Sequence, residues 1–349
     1  MIQVALASYG MSGKVFHAPL IAAHPSFQLS TILERHRNDA VEDYPEVATV
    51  RQYDDLLQDE QIDLIVVNTP NAYHFDMTKA ALQAGKHVVV EKPFTNTLDE
   101  AKELIALAKQ QNLLLTVFQN RRLDSDFLTV QKVLEQQLCG RVVEYEAHYD
   151  RYRNYIQPDT WKEESGPGSG ILYNLGSHMI DQALVLFGMP QSLFAKLSTQ
   201  RAGGKAPDAY HLILSYPDKQ ITLKSSYLVR DEGPRYKILG DLGTFTKYGL
   251  DRQEDDLKVG KIPGEDNWGS ESEAIWGTLD TEINGLAFRG KIASEAGNYL
   301  AYYDNLAQAI ESKAQLLVPA EEGAQVIHLI DLAYESHESG RELAVNFEL

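Results

Sequence analysis

Short apolar runs alternate with amphipathic stretches through the first third of the chain. Ile2–Ala7, Gln28–Leu33, Leu64–Val67, His87–Val90 and Leu113–Phe118 read as strands that are apolar at successive positions. Strands of that kind are buried on both faces. The stretches between them have helical spacing, as in Phe75–Ala84, where Gly85 supplies a C-terminal cap. Thr97-Leu98-Asp99-Glu100 is a capping box that opens the next helix. The alternation predicts a doubly wound parallel sheet over residues 1–120, with ligands held outside the carboxyl ends of its strands.

The pattern then changes. Val143, Tyr145, Ala147 and Tyr149 alternate with Glu144, Glu146 and His148. Period two predicts a sheet with one open face. Further strands are expected at Ser192–Thr199, Tyr210–Tyr216, Gln220–Leu228, Arg235–Gly240 and Thr244–Tyr248. Helices are expected at Gly170–Phe187 and at Pro319–Ser339, the latter ended by Gly340. Asp251–Lys291 is rich in charge and glycine and reads as a loop or insertion. The fold class is α/β: a doubly wound parallel sheet, then an α+β domain over 121–349 with an open-faced, mostly antiparallel sheet. A chain of 349 residues also exceeds what one core usually serves, which agrees with two domains.

Composition removes several function classes. The net charge of -18 opposes binding to nucleic acid or to an anionic membrane, and the densest basic run is only Arg35-His36-Arg37. No apolar stretch is long enough for a membrane-spanning helix. The one cysteine, Cys139, leaves no intrachain disulfide and no cysteine-built zinc site. No basic leader precedes the first strand, so a cytoplasmic protein is expected. No cluster of histidines and carboxylates implies a metal.

The candidate chemistry lies at strand ends. Ser8-Tyr9-Gly10-Met11-Ser12-Gly13 follows the first strand, with Ser8 where a dinucleotide fingerprint has its first glycine. Gly10 would let the backbone approach a pyrophosphate, and Gly13 would let helix and strand pack closely. A merely tight turn would use the same glycines. Glu34, after the second strand, would accept the ribose hydroxyls of NAD. Arg35 and Arg37 could instead grip the 2′-phosphate of NADP, so NAD and NADP both stand, with Glu34 favouring NAD. Thr69, Pro70, Asn71 and His74 fall in the loop after the third strand. Glu91 and Lys92 end the fourth, where a lysine can serve in proton transfer unless it only forms a surface ion pair. Asn174, His178 and Asp181 recur at i, i+4 and i+7 on an otherwise apolar helix, which reads as a cavity wall or a satisfied core network.

Taken together, the glycine turn, the Thr-Pro-Asn-x-x-His loop, Glu91-Lys92-Pro93 and the helix carrying Gly176, His178 and Asp181 resemble the Gfo/Idh/MocA oxidoreductases. Phe16-His17-Ala18-Pro19, the run Asn120–Phe127 and the run Gly243–Gly249 resemble the subgroup that contains bacterial scyllo-inositol dehydrogenases. The resemblance implies a Rossmann domain, NAD or NADP bound to it, a polyol or sugar substrate between the domains, and a homodimer or homotetramer. It implies that Lys92 relays a proton with His178 as its partner, and that the Lys92–Pro93 bond is cis. The nicotinamide is expected near Lys92 and Asn120, with Asn174, Tyr152 and Trp161 gripping the other substrate hydroxyls. Many members carry aspartate where this chain has Asn174, and an amide cannot titrate. Reduction of another carbonyl is the rival enzyme reading. A dinucleotide-binding sensor or regulatory protein without turnover is the non-enzyme one.

Overall fold

The computed structural model describes residues 1–158, 160 and 163–349. They form two compact units. The first comprises Met1–Leu123, Arg252–Trp268 and Asn298–Ala324. Its sheet contains β1 (Ile2–Leu6), β2 (Phe27–Leu33), β3 (Ala48–Val50), β4 (Leu64–Val67), β5 (His87–Val90) and β6 (Leu115–Val117). The order is β3-β2-β1-β4-β5-β6, and every pairing is parallel. That is the strand order of a Rossmann fold, and it reverses between β1 and β4. Val4 to Leu6, Leu64 to Val67 and Val88 to Val90 are fully buried, which accounts for their unbroken apolar sequence.

β3 escapes the sequence pattern because it is three residues long, lies at the sheet edge and is only partly covered. The capping box forms as expected: Thr97 Oγ1 accepts from the Glu100 amide, and Glu100 Oε2 accepts from the Thr97 amide, each at 3.3 Å. The helix it opens, Leu98–Gln111, ends on Asn112 in the left-handed region.

The second unit comprises Asp124–Asp251, Gly269–Gly297 and Gln325–Leu349. Its strands are β7 (Val142–His148), β8 (Ser192–Ser198), β9 (Ala209–Ser215), β10 (Gln220–Ser226), β11 (Tyr236–Gly240), β12 (Gly243–Lys247), β13 (Gly277–Ile283), β14 (Leu286–Ile292) and β15 (Leu343–Ala344). They run in the order β14-β13-β12-β11-β7-β10-β9-β8-β15, parallel between β7 and β10 and antiparallel in the other pairs. Tyr145 and Ala147 are buried while Glu144, Glu146 and His148 are partly exposed, as period two requires, but Val143, at the start of the strand, is exposed and departs from it.

Asp251–Lys291 is not a loop, and this corrects the sequence reading. It contains the helix Gln253–Lys258, all of β13 and most of the edge strand β14. Asn284 (φ 51°) and Gly285 (φ 81°) make a two-residue turn with both central residues left-handed, the usual choice for a tight hairpin. Leu286, Ala287, Phe288 and Arg289 are all exposed, so the strand shows no alternation to read. Among the described residues, no helix is long and apolar enough to cross a membrane.

Candidate active site

In the first unit, the turn after β1 is clamped to the end of β4. The Ser8 amide donates to Asn68 Oδ1 at 2.9 Å, and Asn68 Nδ2 donates to the Ser8 carbonyl at 2.8 Å. Ser8 Oγ donates to the Asn68 carbonyl at 3.1 Å. The clamp brings the two strand ends so close that a Cβ on Gly13 would lie 2.5 Å from the Ser8 carbonyl oxygen and 2.7 Å from Asn68 Nδ2. Gly13 is therefore compelled by backbone packing. A Cβ on Gly10 would meet nothing nearer than Ser8 Oγ at 3.7 Å, so the protein itself leaves space there.

A cleft of about 480 Å³ opens over the ends of β1, β2 and β4. Ser8, Gly10, Glu34, Arg35, Thr69 and Pro70 line it together. Met11, Ser12, Gly13, Asn71, His74, Glu91 and Asn120 do not line this cleft. Arg51 does, although it was not singled out in the sequence. Its guanidinium donates to the carbonyls of Glu34 and Arg37, each at 2.5 Å, and to Asn38 Oδ1, fixing the loop after β2. Glu34 is 5% exposed, and its Oε2 accepts from the Ala40 amide at 3.1 Å. Its Oε1 is buried and has no hydrogen-bond partner among the described residues. An orphaned buried acceptor is costly, and a ligand hydroxyl would satisfy it. The cleft thus fits the adenosine half of a nicotinamide dinucleotide.

His74 is fully buried, with Nδ1 2.8 Å from the Pro93 carbonyl and Nε2 2.9 Å from the Thr69 carbonyl. Burial lowers its pKa, against the pull of the carbonyls. Its ring ties the loop after β4 to the loop after β5, so it shapes the site through the backbone. The Lys92–Pro93 bond is cis. Glu91 Oε2 accepts from the Lys92 amide at 3.1 Å, and Oε1 lies 3.2 Å from His17 Nε2. Burial would push the Glu91 carboxyl up. The His17 hydrogen bond and the fields of His17, Lys92 and His74 outweigh burial and hold it below its ordinary value. Asn120 is buried and opens the short turn Asn120–Leu123. Two ion pairs of 2.6 Å, Arg121–Glu254 and Arg122–Glu322, hold that turn.

In the second unit, the polar helix begins with a π turn, Leu172–Gly176, and continues as the α-helix Ser177–Phe187. The Ser177 amide donates to the Leu172 carbonyl, five residues back. This alters the regular spacing read from the sequence, because Asn174 lies in the wide turn and His178 and Asp181 in the α-helix. π bulges of this kind frequently occur at functional sites. His178 is 4% exposed and Asp181 1%, while Asn174 is half-buried. Asn174 Nδ2 donates to Tyr227 Oη at 3.4 Å. Tyr227 escaped the sequence reading because it follows β10 directly and reads as one more strand residue. The Arg201 guanidinium lies 4.7 Å from its ring centre and pairs with Glu163 at 2.6 Å and Asp208 at 2.8 Å. Tyr152 is exposed, and its hydroxyl accepts from Arg230 Nη2 at 2.7 Å, which holds the phenol below its ordinary pKa. Trp161 lies outside the described residues. Among the described residues, no group of three or more His, Cys, Asp or Glu side chains could hold a metal ion.

Comparison with known proteins gives two family matches. The Gfo/Idh/MocA model described as an oxidoreductase family with an NAD-binding Rossmann fold matches residues 2–119. The one for the C-terminal alpha/beta domain of that oxidoreductase family matches residues 131–346. The chain is 43% identical over 335 residues to the uncharacterized oxidoreductase YdgJ of Escherichia coli K12, covering 96% of each chain. It is 40% identical over 342 residues to the scyllo-inositol 2-dehydrogenase (NADP(+)) IolW of Bacillus subtilis 168, covering 98% of this chain and 95% of that one. A crystal structure from Bacteroides fragilis NCTC 9343 superposes with a TM-score of 0.92 at 47% identity, covering 99% of this chain and 100% of that one.

Proposed function

The chain belongs to the Gfo/Idh/MocA oxidoreductase family, and from that premise we propose that it moves hydride between NAD and a hydroxyl-bearing carbon of an inositol-like cyclic polyol. The observation that carries this reading is the open cleft over β1, β2 and β4, whose wall holds the orphaned Glu34 oxygen. The activity for which the IolW relative is named supports the polyol class.

A bound nicotinamide supplies the hydride chemistry. The residues of this chain would do the rest. Ser8, Gly10, Met11 and Ser12 present backbone to the pyrophosphate, and Gly13 lets helix and strand pack closely enough for them to do so. Glu34 takes the ribose hydroxyls and Arg35 flanks them. Thr69, Pro70, Asn71 and His74 hold the loop beside the dinucleotide, and Glu91 and Asn120 hold its nicotinamide end. Lys92 receives the proton of the reacting hydroxyl, with His178 as its partner. Asn174, Tyr152 and Trp161 hold the remaining hydroxyls. Because the Asn174 amide does not titrate, proton transfer falls to Lys92 and His178. Association into a homodimer or homotetramer belongs to the same reading, with the open face of the second unit's sheet as the surface shared.

A second reading has an observation of its own. Arg35, His36 and Arg37 line the same cleft, and the IolW relative is named for NADP(+). The buried Glu34 carboxylate opposes a 2′-phosphate, which is why NAD is proposed. The roles are tested with Lys92→Ala. Turnover should fall by roughly a hundredfold or more while dinucleotide binding, followed by fluorescence, stays unchanged. Unchanged turnover would remove Lys92 from the mechanism.

A further inference from the structure

Phe16-His17-Ala18-Pro19 has no part in the reading above, yet His17 is fully buried. It ends a π turn, Gly13–His17, in which the Ala18 amide donates to the Gly13 carbonyl. The His17 ring packs on Phe118 with centroids 4.3 Å apart. Its Nδ1 lies 2.7 Å from Tyr303 Oη, and its Nε2 lies 3.2 Å from Glu91 Oε1.

The donors in this chain follow from chemistry. An ionised carboxylate only accepts, so His17 Nε2 carries the hydrogen that goes to Glu91. Burial raises the Tyr303 hydroxyl well above its ordinary pKa, so it keeps its proton and can donate to Nδ1. The imidazole thus completes both bonds. The other Glu91 oxygen takes the Lys92 amide. The titratable groups that face Glu91 are His17 before the first helix, His74 after β4 and Lys92 beside it, while the Glu91 charge in turn raises Tyr302 and Tyr303 of the helix Leu300–Ile310.

We propose that His17, backed by Tyr303, is a positioning residue that keeps Glu91 anionic next to Lys92 and thereby sets how tightly the Lys92 amine holds its proton. The inference rests on the reading of Lys92 as the proton relay. A buried histidine must satisfy both ring nitrogens in any role; what points to positioning here is that one partner is the carboxylate whose other oxygen takes the Lys92 amide.

The test is the pH dependence of kcat/KM for polyol oxidation, in which the acid limb reports the group that must lose a proton. An adjacent anion raises that limb, so losing the anion lowers it. In His17→Phe the limb should move to lower pH by roughly one unit. Glu91→Gln should move it further in the same direction. His17→Gln, whose amide can donate to Glu91 and accept from Tyr303, should restore it. Tyr303→Phe, which breaks only the outer bond, should shift it least, and it carries the test if His17→Phe does not fold. A limb that stays in place or rises in His17→Phe, Glu91→Gln and Tyr303→Phe, whatever happens to thermal stability, overturns the inference, and so does a limb in His17→Gln that stays at the His17→Phe position. Lys92→Ala separates the two failures. If that variant keeps the wild-type rate and limb, the Lys92 reading itself is wrong. If it is inactive while the His17 limb is unmoved, only the positioning role is wrong.

Discussion

Each unit buries a network of ionisable side chains, and the two networks end differently. In the first, Tyr303, His17 and Glu91 run from a helix to the strand end that carries Lys92. In the second, Lys247 and Glu271 pair at 2.8 Å with both side chains fully buried. Lys247 Nζ also donates to the carbonyls of Tyr248 and Ile275, each at 2.9 Å. Glu271 accepts from Ser125 Oγ at 2.7 Å and from Ser294 Oγ at 2.5 Å. Its bonds close on backbone and hydroxyls, so it joins the segment Gly269–Gly297 to the rest of its unit. Burial of charge alone therefore does not mark a functional group. What distinguishes the first network is that it ends at a lysine placed beside a strand end where ligands of this fold bind.

The largest effect is expected at Lys247. Lys247→Met leaves Glu271 buried without its counter-ion, at a cost of about 3–5 kcal/mol. Denaturant unfolding should show that loss, while turnover per folded molecule stays near wild type. A stable Lys247→Met protein would mean that this network does not hold the fold.

A smaller effect comes from Asp126, which lies in the same unit 3.6 Å from Arg235. Burial raises its carboxyl from 3.8 to about 6, against the charge of Arg235. The folded state thus keeps a proton that the unfolded chain loses near pH 3.8. The stabilisation is present below that pH and is lost as pH rises through about 6. Asp126→Asn should lose that pH dependence between those limits, in unfolding followed across pH. Parallel pH profiles for the two proteins would remove Asp126 from the pH response.

Much of this was readable in the residues, because fully buried parallel strands write themselves as continuous apolar runs. β1, β4 and β5 are of that kind, and the turns after them carry Gly13, Thr69 and Glu91 at the places expected. What escaped has physical reasons. Asn68 reads as loop chemistry, since nothing local shows that its amide spans to Ser8. Arg51 follows β3, itself too short for a pattern. The two π turns differ from α spacing by one residue per turn, which a helical period does not resolve. The hairpin of β13 and β14 was missed although Asn284-Gly285 is a turn signal, because its outer strand is largely exposed and lacks the alternation that would have supported the turn. Tyr227 meets Asn174 only through tertiary structure.

Absorbance of reduced nicotinamide measures hydride transfer from a polyol directly. The purified protein is incubated with NAD or NADP and a panel of inositols and sugars. At least one inositol should reduce NAD, with NADP the poorer acceptor. Binding of the dinucleotide without reduction by any cyclic polyol would contradict this expectation.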